Sequence, residues 1–311
     1  MNTFIRVAEV WLPSADGSLL ELADGHYRAA PAFGAMSRGT CFGRAEGLPG
    51  NAWEDGRPML LRSLTDGHFR RVAAAQAAGL SCAAALPIFV DDRLTSVVVL
   101  LCGDHAPQQG AIEMWQNDPR IGSDMTMREG YFGGAGGELE DLSRNSWLPR
   151  GSGLPGLAWQ REAAVFIDNI GQSHHFLRSQ AAASAGIVRG LAIPCSTRHN
   201  ETWVLSLLSS TQSPVARRVE SWIADESGDG LQRAFGFCET AGSLPTAGPS
   251  LRPLAALGAI GRAWQGATAG LAQGDGLGGE ADDARAAGLD AVLAIPVIAQ
   301  GRVSEVIALY F

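Results

Sequence analysis

The stretch Gly47-Leu-Pro-Gly-Asn-Ala-Trp53 returns as Gly153-Leu-Pro-Gly-Leu-Ala-Trp159 and, more loosely, as Gly258-Ala-Ile-Gly-Arg-Ala-Trp264. Successive copies lie about 105 residues apart. Upstream of each stands Glu-x-Trp, at Glu9/Trp11, Glu113/Trp115 and Glu220/Trp222. Downstream stands a glycine with a proline eight residues later, at Gly79/Pro87, Gly186/Pro194 and Gly288/Pro296. A repeat of this period sets the architecture before any motif is read. It divides the 311 residues into three similar domains, 1–104, 105–211 and 212–311, the last of them degenerate.

Within repeat one, Arg6–Leu12 and Ser18–Arg28 are β-prone runs joined by Pro13-Ser-Ala-Asp-Gly17, a hairpin signal. Side chains alternate along a strand, so Glu9 and Trp11 share a face. The Gly-Leu-Pro-Gly turn leads into a short helix at Asn51–Asp55, and Arg57–Ser63 reads as an extended edge strand. Phe69–Ala78 is alanine-rich and helical, with Gly79 as its C-cap. Cys82–Phe89 and Thr95–Cys102 close the repeat as a hairpin. The matching closing strands are Gly190–Cys195 with Trp203–Ser209 and Ala291–Ile298 with Val306–Phe311. Their hairpin turns fall at Arg198–Glu201 and Gln300–Arg302, and linkers at Gly103–Gly110 and Thr211–Arg217. In repeat three the apolar middle strand is expected to be lost, because Gly266-Ala-Thr-Ala-Gly270 stands there.

Composition bounds the function. A net charge of −8 argues against non-specific nucleic-acid binding, which needs a basic surface. No long basic run suits an anionic membrane, and no apolar stretch reaches the ~20 residues of a spanning helix. The N-terminus lacks the plan of a signal peptide, so the expected location is cytoplasmic. Five cysteines without a Cys-x-x-Cys pair read as reduced thiols. His174-His175 has no third ligand spaced to join it, so no metal and no cofactor is expected.

The order of hairpin, crossover with short helices, edge strand, helix ending in Ala-Gly and closing hairpin resembles the GAF domain. The resemblance covers essentially the whole chain. Its most specific stretches are Gly47–Trp53 with Arg57-Pro58, Ala77-Ala-Gly79 through Leu86-Pro87, and their counterparts in repeat two, which resemble the Gly-Leu-Pro-Gly bacterial signalling subgroup. The resemblance implies an α+β fold: three tandem antiparallel sheets flanked by short helices on both sides, each with a small-molecule pocket between sheet and crossover. The terminal helices through which many GAF domains dimerise are missing from the pattern, and no effector domain is left over. A signal would therefore pass through contacts with an effector-bearing protein or a second copy in a homodimer.

Candidate ligand residues are those shared by repeats one and two only. They are Arg38, Arg44, His68, Phe69 and Arg71, matched by Arg144, Arg150, His175, Phe176 and Arg178, with Ser37 and Ser143 beside the first arginine of each set. Arginine and histidine next to an aromatic suit a carboxylate or phosphate ligand, or else cap helices and pair on the surface. Repeat three carries Gly248-Pro249, Ala255 and Glu280 at the matching places. Three functions follow as expectations. The first is a non-enzymatic regulator binding a small molecule, an anion on the arginine reading, in repeats one and two. The second is a ligand-free scaffold, signalled by a pocket packed shut with Trp11 and Trp53. The third is a methionine sulfoxide reductase of the GAF type. That family carries a catalytic cysteine where this chain has Pro49, Pro155 or Ile260.

Overall fold

The computed structural model describes residues 2–28, 30–65, 69–103, 109–198, 201–225, 230–246, 252–274, 276–277 and 281–311. His68, Gly248-Pro249, Glu280, the turn residues His199 and Asn200, and linker residues 104–108 lie outside them.

The described residues form three antiparallel sheets, one per repeat, each with short helices. In chain order the strands of each unit are β1 (Ile5–Pro13, Gly110–Asn117, Arg218–Ala224) and β2 (Leu19–His26, Met125–Tyr131, Gly230–Cys238), followed by β3 (Cys41–Gly43, Trp147–Leu148, Gly242–Ser243). Then come β4 (Met59–Leu61, Val165–Ile167, Gly270–Gln273), β5 (Cys82–Val90, Arg189–Cys195, Ala291–Ala299) and β6 (Arg93–Cys102, Thr202–Ser209, Arg302–Tyr310). All three sheets run β3-β2-β1-β6-β5-β4. Sheet three adds Arg252–Pro253 beside β2.

Three helices fill the crossovers. They are α1 (Pro31–Ser37, Glu138–Arg144), α2 (Gly47–Asp55, Gly153–Arg161, Gly258–Gly266) and α3 (Val72–Ala77, Ser179–Ser184, Ala281–Ala286). The repeated glycine motif is the first turn of α2 and not a loop before it, which extends the expected helix by four residues. The second motif glycine packs on backbone: a Cβ on Gly50 or Gly261 would lie 2.1 or 2.0 Å from the carbonyl oxygen of Gly43 or Leu254. Its first glycine needs a left-handed φ, +60° at Gly47 and +67° at Gly153. Proline is tolerated beside them because a first-turn N–H has no helical partner. The expected loss of β4 in unit three is corrected. Gly270-Leu-Ala-Gln273 makes the edge strand, held by pairing with Ala291–Ala294 of β5 in spite of the glycines before it.

The helices lie on one face only, with α2 across β5 and β6 in each unit. The expectation of helices on both sides is therefore corrected: the opposite faces of the three sheets pack on one another. The alternation of β5 makes this possible. Cys82, Ala84, Leu86 and Ile88 enter the shared core, while Ala83, Ala85 and Phe89 face the helices of unit one. Leu191 and Ile193, and Leu293, Ile295 and Val297, are the counterparts in the shared core. Strands buried on both faces read as continuous apolar runs, as these do.

The three β5 strands meet each other at the centre. Around them β4 of unit one abuts β2 of unit two, and β4 of unit three abuts β2 of unit one. Between units two and three, Phe166 of β4 stacks on Phe235 of β2 with centroids 6.1 Å apart. Each seam thus joins the same two strands, a head-to-tail contact that closes after three copies into a ring. No helix among the described residues is long and apolar enough to cross a membrane.

A core shared by three units predicts joint unfolding. Leu293→Ala should cost about 2–5 kcal/mol, and calorimetry should show one transition at a lower temperature. A separate early transition carrying about a third of the heat would contradict the shared core.

Candidate functional site

Each unit encloses a carboxylate with no solvent exposure: Glu9, Glu113 and Glu220 on β1. Two residues on, the indole of the repeat tryptophan donates to it, Trp11 at 3.1 Å, Trp115 at 2.9 Å and Trp222 at 3.0 Å. The β1–β2 pairing slips by one residue between glutamate and tryptophan in all three sheets. The extra residue sits in β2, so β1 stays regular and keeps both side chains on one face. Opposite each glutamate is a glycine, Gly25, Gly130 or Gly236. A Cβ there would strike Tyr27, Phe132 or Arg233 at 2.3, 2.7 and 2.7 Å, so glycine makes room for the side chain that covers the carboxylate.

A buried carboxylate requires a partner. In unit one Arg71 supplies it, donating to Glu9 Oε1 at 2.5 Å and Oε2 at 3.0 Å and to Ser37 Oγ. Tyr27 donates to Glu9 Oε1 at 3.0 Å. The Arg71 guanidinium lies 4.4, 5.5, 5.7 and 5.9 Å from the rings of Phe33, Phe69, Trp11 and Phe42. In unit two Arg178 grips Glu113 at 2.5 and 3.0 Å, and Ser143 donates to Glu113 at 2.8 Å. Burial alone would raise the Glu113 carboxyl, but Arg178 and the hydrogen bonds hold it below its usual value.

Unit three reaches the same end from other positions. Arg218, two residues before Glu220 on β1, donates to it at 2.7 Å, and Arg233 of β2 lies 3.0 Å away. Tyr310 donates at 2.9 Å. The missing arginine of repeat three is therefore replaced by arginines of β1 and β2.

Of the sequence candidates, the structure brings Phe69 and Arg71 together, and Phe176 and Arg178, all buried. Ser37 and Ser143 join them, whereas Arg38, Arg44, Arg144, Arg150 and His175 do not, and His68 lies outside the described residues. Arg44 and Arg150 sit on the surface over Trp53 and Trp159, 4.7 and 5.8 Å from the ring centres, paired with Glu54 and Glu162. Arg144 pairs with Glu140 one helical turn away, Arg38 lies 5.8 Å from the Tyr27 ring, and His175 is exposed. Sequence reasoning missed Tyr27, Phe33, Tyr310, Arg218 and Arg233. The Arg-x-Glu-x-Trp order of Arg218, Glu220 and Trp222 was the signal available for one of them.

None of the five cysteines is in a disulfide. Cys82 and Cys102 are cross-strand neighbours without exposure in the shared core, and burial pushes the Cys195 thiol up to about 12. Cys41 is exposed. Among the described residues no group of three or more His, Cys, Asp or Glu is gathered to hold a metal ion.

No family model and no curated protein matches the chain. Solved GAF-domain structures match about a third of it. The chain is similar to the Nlh2 GAF domain of A. aeolicus in an inactive state (14% identity, 33% of this chain, 60% of that one, TM-score 0.27). It is similar to the GAF domain of a two-component sensor histidine kinase from Bacillus halodurans (17%, 32%, 63%, 0.25). It is also similar to the free methionine-R-sulfoxide reductase of Neisseria meningitidis in complex with its substrate (17%, 32%, 51%, 0.24). Each alignment has about the length of one repeat and spans less than two thirds of the matched chain.

Removing one partner of a buried ion pair strands the other charge. Arg178→Met should therefore cost about 3–5 kcal/mol, and joint replacement with Glu113→Leu should recover much of it. Because the folded Glu113 carboxyl is held below its unfolded value, its contribution is present above the ordinary carboxylate range and fades as pH falls through the folded value. Melting temperatures across that acid range should fall more steeply for the wild type than for Glu113→Gln; parallel curves would remove this assignment.

Proposed function

We propose that the chain is a non-enzymatic scaffold of three GAF-like units, whose GAF-type clefts are closed by its own side chains and whose output is carried by protein contacts. The observation that carries this reading is the occupant of the cleft in unit one. A guanidinium ringed by Phe33, Phe69, Trp11 and Phe42 and gripped by Glu9 fills the place between sheet and crossover where the resemblance puts a ligand. An anion entering there would have to draw Arg71 or Arg178 off its carboxylate, leaving a buried negative charge beside the incoming one. That cost opposes the regulatory reading with ligands in units one and two. Five free thiols suit a reducing compartment such as the cytoplasm.

Native mass spectrometry of the full chain tests the reading. The expected spectrum shows the protein, as monomer or oligomer, with no small molecule retained in units one and two. A retained molecule that is lost on Arg71→Ala or Arg178→Ala, and kept on Glu305→Gln in the seam between units two and three, would overturn it. Catalytic turnover of a sulfoxide that depends on Cys41 or Cys82 would overturn it equally.

A further inference from the structure

At each seam of the ring one equivalent pair of positions meets, and its residues differ from seam to seam. The residue just before β4 is Pro58, Ala164 or Ala269 in the three units. The β6 residue one place before the strand partner of the repeat proline is Ser96, Trp203 or Glu305. Between units three and one, the Ala269 N–H donates to Ser96 Oγ at 3.0 Å. Between units two and three, the Ala164 N–H donates to Glu305 Oε2 at 2.7 Å. Between units one and two, proline has no N–H to satisfy, and Trp203 takes the β6 position under the Arg57 guanidinium at 5.3 Å. A neutral hydroxyl is therefore enough to close a seam. The carboxylate at the third seam exceeds what the fold requires.

Glu305 is 2% exposed, and its other oxygen accepts from Ser221 Oγ. Unlike Glu9, Glu113 and Glu220, it has no cationic partner among the described residues. Ionising a buried carboxyl without a counter-ion is costly, so the group stays neutral unless a cation is supplied. Glu305 lines a crevice of about 550 Å³ between units two and three, within the range of small-molecule sites. Phe166, Phe235 and Phe237 line the same crevice. Arg161 and Asp168 are exposed beside it, and Arg189, stacked on Phe237 at 4.7 Å, is already paired with Glu239 at 3.0 Å. The one buried acidic group of the crevice is thus Glu305, beside three aromatic rings. Aromatic faces with a carboxylate are the recognition set for an organic cation.

We propose that the crevice between units two and three binds a small organic cation, its ammonium group on Glu305 and its apolar body against Phe166, Phe235 and Phe237. The site is separate from the closed clefts, so it stands or falls independently of the scaffold reading. Burial raises the Glu305 carboxyl in the empty protein. The neutral acid fits its surroundings, since one oxygen accepts from Ala164 and the O–H can donate to Ser221. An arriving ammonium favours the ionised form, so binding should release a proton.

Calorimetric titration of the full chain with phenethylamine, cyclohexylamine and choline tests the proposal, with 2-phenylethanol as the neutral isostere of the first. The expected result is that at least one of the cations binds. If phenethylamine does, it should bind at least about tenfold more tightly than the alcohol. Its heat should differ between buffers of different ionisation enthalpy. Glu305→Gln keeps both seam hydrogen bonds, so it should fold as the wild type while losing the preference for the amine. Phe235→Leu should weaken amine and alcohol together, and Glu21→Gln, an exposed residue of β2 in unit one, should change neither. No binding by any of the three cations at millimolar concentration would overturn the proposal. So would equal affinity for amine and alcohol, or an unchanged preference in Glu305→Gln.

Discussion

The structure depends on a glutamate that water never reaches. Each unit buries one on β1 and satisfies it with an indole two residues on, an arginine and a hydroxyl. Desolvating a carboxylate costs several kcal/mol, and only close, bidentate or multiple partners return it. That constraint propagates outward. The carboxylate needs its tryptophan on the same face, so β1 stays regular and the extra residue goes into β2. It needs a covering side chain, so the opposing β2 residue is glycine. In units one and two it needs an arginine from the far end of the crossover, so the residue just before α3 is held down on the sheet.

The second constraint is the bare face of each sheet. Without a helix to cover them, three apolar faces must find one another, and three equivalent copies can do so only by a contact that closes. Joining β4 of one unit to β2 of the next achieves this three times over, with the β5 strands at the centre. The seams then diverge while the geometry is held. One position carries serine, tryptophan or glutamate, each answering the donor or the lack of one opposite it. Covalent linkage of the three copies permits that divergence, since a ring of identical chains would carry one residue at all three seams.

Much of the fold was legible because its signals are local. The Gly-x-x-Gly-x-Ala-Trp motif, the helix-ending glycines and the alternating closing strands each declare a backbone conformation within a few residues. The capping glycine did so in all three units, where Leu80, Ile187 and Leu289 donate back to Ala75, Ala182 and Ala284. Of the candidate site, Phe69 with Arg71 and Phe176 with Arg178 were found by comparing copies. Their partners were not, because Arg71 and Glu9 are 62 residues apart and nothing local marks which charge a cation will meet.

By itself the sequence determined three α+β units, their strands and the residues that turn the chain, since φ preference and side-chain alternation act over a few residues. Only the tertiary structure decided that Arg71 and Arg178 neutralise internal carboxylates, that Arg218 and Arg233 do the same in unit three, and that the open faces of the sheets form one core. Which charges meet and which faces cover each other depends on distances set by the whole packed chain. A charge that looks free in sequence can therefore be the one the fold has already used.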